Sequence, residues 1–567
     1  MTTPEALANR SGAAEAPLAD DPFHTTLITR LANALYREGE GEGGQAAELL
    51  WEDQSLPSAP DLRTAAVPGH TGRVLAVDPS AHSRDHTAPV HPVAEPLALP
   101  PAPTPAVPTS PASWRRISVV DTPAGIGRDD PFATPDFYFL TPGTSRTVPG
   151  RGAAARVGPT GTPLGFDPYV VRRDFPALHQ KVNGHPLVWL DNAATTHKPQ
   201  SVIDATSDFY AHDNSNIHRA AHTLAARSTD LFEGARNKLA RFINAASARE
   251  IIFVRGTTEA INLVANTFGR SRIGAGDEII VSAIEHHANI VPWQLLAQST
   301  GAVLKVAPVN DRGELILEQF AALLTGRTKL VSVTHVANAL GTVLPVAEII
   351  AIAHAHGVPV LLDAAQSSPH MPLDVRALDA DFLVLSGHKI FGPTGIGILY
   401  GKAEILENLP PWQGGGHMIR DVTFAHTEFQ GLPERFEAGT PDIAGAVGLG
   451  AAVDYLQQTG LPAIAAYEHA LLDYATAGLE EVRGLTLIGT ARHKASVLSF
   501  VIRDKDPQEV AKFLDRRGIA VRSGHHCAQP ALRRFGVEAT VRASLAFYNT
   551  REDVDALVTA LHALPKS

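Results

Sequence analysis

Val358-Pro-Val-Leu-Leu-Asp363-Ala-Ala-Gln366 and, shortly after it, Phe382-Leu-Val-Leu-Ser386-Gly-His-Lys389 decide how this chain is read. Residues 358–362 are short, apolar and partly β-branched, the pattern of a buried strand. That run ends in a carboxylate, Asp363, and the second apolar run, 382–385, leads straight into Ser-Gly-His-Lys. Working outward, 251–254, 278–282 and 330–335 repeat the pattern, with helical stretches between them. Strands alternating with helices across 188–399 predict an α/β fold with a mainly parallel sheet and ligands at its strand ends.

Taken singly, a loop lysine and a strand-end aspartate are ordinary. Delivered together at two strand ends, with Ser386 and His388 beside the lysine, they suit pyridoxal 5'-phosphate. Lys389 forms the Schiff base, Asp363 keeps the pyridine nitrogen protonated, and Ser386 and His388 help hold the phosphate. A second cradle follows the strand at 251–254, where Arg255-Gly-Thr257-Thr258-Glu opens a helix. Backbone N–H groups, two hydroxyls and the positive end of the helix dipole meet there. Asp191-Asn-Ala193-Ala-Thr-Thr is a small-residue loop that lets backbone approach a ligand. Arg542 suits a bidentate grip on a carboxylate.

The chain's one cysteine, Cys527, sits in Arg522-Ser-Gly-His-His-Cys-Ala-Gln-Pro530. A sole cysteine is usually a buried apolar residue. This one lies in a polar loop whose histidines and arginine are expected to lower the thiol pKa and keep it reachable. The adjacent His286 and His287 lack ligand partners at metal spacing, so no metal is expected.

From about 170 to the C-terminus the chain resembles the group II (SufS-like) cysteine desulfurases of the class V aminotransferase superfamily, fold type I. The likeness rests on an ordered set: Leu190-Asp-Asn-Ala-Ala, Asn216-Ile-His218-Arg219, Arg255-Gly-Thr-Thr-Glu-Ala-Ile-Asn, Glu285-His-His-Ala-Asn, Asp363-Ala-Ala-Gln, Ser386-Gly-His-Lys, Phe436-Glu-Ala-Gly-Thr440-Pro and the Cys527 loop. The resemblance implies conversion of L-cysteine to L-alanine through a Cys527 persulfide. It places His286 on the cofactor ring as an acid–base group, and Asn338 and Gln366 against the cofactor. It also places Asn216, His218 and Arg219 near the substrate entrance, with Arg522, Arg542 and Ala193 on the substrate. Thr440 would cross a homodimer interface to the partner's phosphate. One departure stands out: Gly414-Gly-Gly-His417 carries histidine where the family commonly has glutamate, which bears on the interface.

After 442 the texture changes. Predicted helices at 446–456, 463–477 and 507–516 with a strand at 496–502 form a smaller α+β domain. The chain therefore divides into 1–165, a catalytic core at 166–442, and a C-terminal domain at 443–567. Of the 42 prolines, 23 precede Phe166. Proline at this density removes donors and blocks helix interiors, so 1–165 is expected to be largely disordered. Islands such as Phe23 to Arg37, Trp114 to Asp121 and the aromatics around Phe137 have the form of docking motifs. The organisation is similar to that of cysteine desulfurases carried as cargo in family 2 encapsulin shells.

The remaining totals narrow the field. A net charge of −11 without a basic block argues against nucleic acid or anionic membrane. No apolar run of about 18 residues predicts a membrane span. Met-Thr-Thr-Pro-Glu-Ala lacks the features of a secretory signal, and a single cysteine suits a reducing compartment, so the expected location is cytoplasmic, with an encapsulin compartment as the further address. Alternatives stay open: a selenocysteine lyase with the same site, a kynureninase or aminotransferase that does not need Cys527, a docking component, or a free sulfur donor to a SufE-like acceptor for Fe–S cluster assembly.

Overall fold

The computed structural model describes residues 166–218 and 222–565; the extension 1–165 and Arg219 lie outside the described residues. Seven strands build the main sheet: β1 Ile251–Val254, β2 Glu278–Ser282, β3 Val303–Ala307, β4 Thr328–Thr334, β5 Val360–Asp363, β6 Phe382–Ser386 and β7 Gly397–Gly401. Their order is β1-β7-β6-β5-β4-β2-β3. From β6 to β3 every pairing is parallel, and β7 runs antiparallel to both β6 and β1. Every residue of β5, β6 and β7 is buried. Continuous apolar runs are the signature of strands covered on both faces, and this is why β5 and β6 were legible, whereas the glycine-rich start of β7 was read as a turn.

The parallel register brings the chemistry to one edge. Asp363 pairs with Thr334 on one side and Val384 on the other. Two residues after Val384 the strand ends at Ser386, and a 3-10 turn, Gly387–Lys389, follows. The loops after β2, β4, β5 and β6 therefore leave from the same end of the sheet.

Two long helices, α1 Thr223–Phe242 and α3 Ile443–Thr459, pack against each other, with α2 Thr257–Val264 between them in sequence. The spacing of Leu231, Ala235, Leu239 and Phe242 predicts a helix from Thr229 to Ile243, and the start of α1 is corrected. It begins at Thr223, capped by His222, whose Nδ1 accepts from Ala225 N. Its first turns bury small residues, Ala225 and Ser228, which do not register as an apolar stripe. Gly450 lets α3 come close to α1, because a Cβ there would sit 3.0 Å from Ala235 Cβ. A short hairpin, β8 Ile419–Val422 and β9 Thr427–Phe429, lies between sheet and α3 in sequence, and Phe424 near its tip is fully exposed.

The C-terminal part holds an antiparallel sheet of β10 Leu485–Ile488, β11 Val497–Ile502, β12 Arg522–Gly524 and β13 Thr540–Ser544, in the order β10-β11-β13-β12. Helices α4 Leu461–Glu480, α5 Pro507–Asp515 and α6 Arg551–His562 pack with it. The segment from Phe166 joins this part. Phe166 packs against Tyr467 in a tilted contact and edge-on against Phe547, and Arg172 pairs with Asp553 at 2.8 Å. Val188–Trp189 then pairs in parallel with Ile519–Ala520. Among the described residues no helix is long and apolar enough to cross a membrane.

Candidate active site

At the strand ends lies a cleft of about 160 Å³. The expected residues Ala193, Thr257, Thr258, His286, Asn338, Asp363, Gln366, Ser386, His388, Lys389, Arg522 and Arg542 all line it. Cys527 stands on the loop beside it, within the electrostatic field of both Lys389 and Arg542.

The floor is dry. Asp363 is buried and accepts one hydrogen bond, from Ala365 N at 2.9 Å to Oδ1. Burial raises its pKa, opposed by the Ala365 bond and by Lys389. Lys389 has its pKa lowered to about 8, chiefly by loss of water, with Asp363 working the other way. His286 caps the turn that follows it by accepting Ala288 N on Nδ1 at 3.0 Å. With Nδ1 occupied as an acceptor, the ring carries its proton on Nε2. Burial and the nearby cations hold it neutral, with a pKa lowered to about 3.

The cradle at the start of α2 depends on one glycine. Gly256 has φ 151°, and a Cβ there would meet Ser386 Oγ at 3.1 Å. The open position lets Ser386 Oγ accept Thr257 N and donate to Thr257 Oγ1, both at 2.9 Å. His388 Nδ1 lies 3.3 Å from Thr195 Oγ1. Burial, Lys389 and Lys198 lower its pKa to about 4.

Arg542 is buried and already committed on two sides: Nη2 donates to Asp191 Oδ1 at 2.9 Å and Nη1 to Asn338 O at 3.1 Å. Asn338 in turn donates Nδ2 to His526 O at 2.6 Å, and Gln366 donates Nε2 to Ala193 O at 2.7 Å. Three polar atoms of this wall, Asn338 Oδ1, His526 Nδ1 and Arg542 Nε, are buried and have no partner among the described residues. Unsatisfied buried groups are costly, so a polar ligand belongs here. A Lys–Asp pair with hydroxyls, a neutral histidine and a helix start fits pyridoxal 5'-phosphate. Asp363 would take the ring nitrogen, Thr257, Thr258, Ser386 and His388 the phosphate, and His286 the ring face.

The Cys527 loop is built differently. His526 and Cys527 both take left-handed backbone, with φ 53° and 55°. Consecutive left-handed non-glycine residues are strained, of order 1–3 kcal/mol each. His526 is buried and anchors the bend, its Nε2 lying 2.8 Å from Thr540 Oγ1. The expectation that both flanking histidines attend the thiol is corrected. His526 is spent on Thr540, His525 Nδ1 accepts Cys527 N at 3.0 Å, and Arg522 Nη2 is the group at 3.8 Å from Sγ.

Besides Cys527, three expected residues among those described do not line the cleft. Asn216 and Thr440 line a separate cavity of about 90 Å³ with His417. His218 packs its ring 4.6 Å from that of His417, with Nε2 3.3 Å from Glu233 Oε1. Arg219 lies outside the described residues. Two residues were missed. Asp191 was quoted within a motif without a role, because its partner Arg542 is 351 residues away. Glu285 is fully buried, accepting from Ser282 Oγ, Thr334 N and Asn289 Nδ2, and burial raises its pKa to about 7. An acid inside an otherwise apolar strand-end sequence was the available signal.

The class-V aminotransferase family model matches residues 188–557. A cysteine desulfurase of Synechococcus elongatus is 58% identical over 428 residues, 76% of this chain and 67% of that protein. A probable cysteine desulfurase of Mycolicibacterium paratuberculosis is 54% identical over 505 residues, 89% of this chain and 70% of that one. Among solved structures, the Escherichia coli cysteine desulfurase CsdA in its S-sulfonic acid form superposes with a TM-score of 0.66 at 41% identity, covering 70% of this chain and 98% of that one. This chain belongs to the class-V aminotransferase family, as a pyridoxal-phosphate-dependent enzyme related to the cysteine desulfurases.

Proposed function

We propose that the protein is a cysteine desulfurase of the group II (SufS-like) type, converting L-cysteine to L-alanine and taking the sulfur onto Cys527. The carrying observation is the placing of a strained, half-exposed thiol beside a cleft that holds the Lys389–Asp363 pair.

Arg542, held by Asp191 and Asn338 O, receives the substrate carboxylate with its remaining donors. Lys389, with a pKa near 8, is neutral in a useful fraction of molecules at physiological pH and removes the α-proton. The bound cofactor supplies the electron sink for the pair left behind. His286, neutral with its proton on Nε2, donates that N–H as a hydrogen bond to the departing side of the substrate. The Cys527 thiolate attacks the substrate sulfur; an S–S bond forms and the C–S bond breaks. The carbon is reduced by two electrons and protonated to alanine, while the sulfur is retained as the Cys527 persulfide. Overall, one thiol and one L-cysteine give one persulfide and one L-alanine.

The test is Cys527→Ala with L-cysteine. Loss of alanine formation with the cofactor absorbance intact, and a mass gain of one sulfur atom on wild-type Cys527, would support the reading. Retained alanine formation would turn it toward an aminotransferase-like or kynureninase reaction. Rates on selenocysteine against cysteine separate the lyase alternative.

Two further readings have their own support. Thr440 is exposed and outside the cleft, next to a cavity of about 560 Å³ walled by Trp412, Phe436 and Pro441. Together with the bare Phe424 of the hairpin, this favours a homodimer that covers the face and completes the phosphate site. The three-part division at 165 and 442 is kept as part of this reading. The Mycolicibacterium match spans 505 residues, more than the 402 that follow residue 165, so the likeness runs into the extension. With its proline density and aromatic islands, we read 1–165 as a targeting segment for an encapsulin shell, with a SufE-like protein as the outlet if none is bound. Activity sedimenting with megadalton particles in lysate supports the shell; activity only at dimer size removes it.

A further inference from the structure

Thr195, Thr196 and Lys198 converge on one backbone atom. The carbonyl oxygen of His388, one peptide before Lys389, accepts from Thr196 N at 3.1 Å, Thr195 Oγ1 at 3.1 Å, Thr196 Oγ1 at 3.2 Å and Lys198 Nζ at 3.3 Å. A peptide oxygen has two lone pairs, and four donors crowd this one. Thr196 Oγ1 also reaches Lys389 O at 3.2 Å and accepts Phe391 N at 3.0 Å, so the clamp holds both flanks of the lysine. Lys198 completes its shell with Thr196 O at 2.5 Å and has no carboxylate partner among the described residues. A half-buried ammonium held only by carbonyls is expensive to keep. Burial lowers its pKa to about 8, and its charge acts on the His388 ring.

The same loop reaches the substrate side. Its Ala193 and Ala194 line the cleft, its Asp191 holds Arg542, and Gln366 holds Ala193 O. The segment 191–198 thus ties the wall that meets the substrate to the turn that presents the lysine.

We propose that Lys198 is a positioning residue for Lys389: with Thr195 and Thr196 it fixes the His388 peptide, and so the direction of the Lys389 amine. The inference rests on the desulfurase reading for its activity readout only.

The test compares Lys198→Met, Lys198→Arg and Thr196→Val in the full chain. Three quantities are measured: the dissociation constant of pyridoxal 5'-phosphate from the apo-protein by tryptophan quenching, and kcat and KM for L-cysteine. Lys198→Met should weaken cofactor binding about tenfold and lower kcat about tenfold with KM within twofold. Lys198→Arg should restore both. Thr196→Val should lower affinity and kcat several-fold in the same way. A Lys198→Met protein with wild-type affinity and kcat overturns the proposal. If that variant does not fold, Thr196→Val with wild-type kcat and affinity overturns it. A wild-type protein that makes no alanine from cysteine sinks the functional reading instead, and leaves affinity to decide on the clamp.

Discussion

The bed of strand ends and the loop that carries the thiol solve opposite problems. Asp363, Ser386 and Lys389 issue from strands buried on every residue, and their backbone obeys ordinary strand and 3-10 geometry. Cys527 sits half-exposed on two successive left-handed residues, with its neighbour His526 sunk into the small sheet as an anchor. Low water content stores the chemistry of the first region as shifted pKa values. Backbone strain stores the aim of the second. On the proposed reaction, an amine that must move a proton gains from burial, whereas a thiol that must pass sulfur on has to stay reachable.

The hardest blow to this contrast is aimed at the bed. Lys389→Ala should cut alanine formation by roughly 1000-fold or more and abolish the lysine–cofactor absorbance. Because it removes a desolvated amine, the apo-protein should melt no lower than wild type. A melting point that falls sharply would make Lys389 a structural residue.

Cys527→Ala should be nearly as damaging to turnover, about 100-fold to 1000-fold, yet leave cofactor affinity and absorbance unchanged. Parallel loss of cofactor affinity would erase the distinction between the regions.

A pH titration of cofactor capture by the apo-protein gives a smaller, graded effect. Capture needs the neutral amine, so its initial rate should rise with pH and level off above about 8 instead of near 10.5. The linkage has a definite sign. The folded value lies below the unfolded one, so the unfolded chain holds this proton more tightly. The Lys389 contribution to apo-protein stability should therefore increase between pH 8 and 10.5. A capture midpoint near 10 would mean the bed is wet.

The mildest change, Thr540→Val, leaves His526 Nε2 without its partner. It should cost about 1–3 kcal/mol in unfolding experiments and slow persulfide formation several-fold, with cofactor binding untouched. Unchanged persulfide kinetics would show that the loop does not depend on this anchor.

What could be read from sequence followed the same divide. β1 at 251–254 and β2 at 278–282 were bounded correctly because continuous apolar runs ending in polar loops leave little choice. The lysine and aspartate were legible because each ends such a run. The start of α1 was not, since Ala225 and Ser228 bury without apolar bulk. Nor was the Asp191–Arg542 pair, or the gathering of Thr195, Thr196 and Lys198 on His388 O, because these contacts span hundreds of residues and carry no local period. The roles of His286, Asn338 and Gln366 came from resemblance, and the separation of Asn216, His218 and Thr440 from the cleft needed coordinates.

One attachment has a mechanical side. Phe166, Tyr169 and Arg172 fasten the start of the described chain to Tyr467, Glu552 and Asp553, and none of these belongs to the main sheet. Any pull applied to the chain at Phe166 is therefore borne first by the part of the molecule that carries Cys527. The strand ends that hold Asp363 and Lys389 lie downstream of that anchorage, so load reaches the thiol-bearing side before the bed of the cofactor.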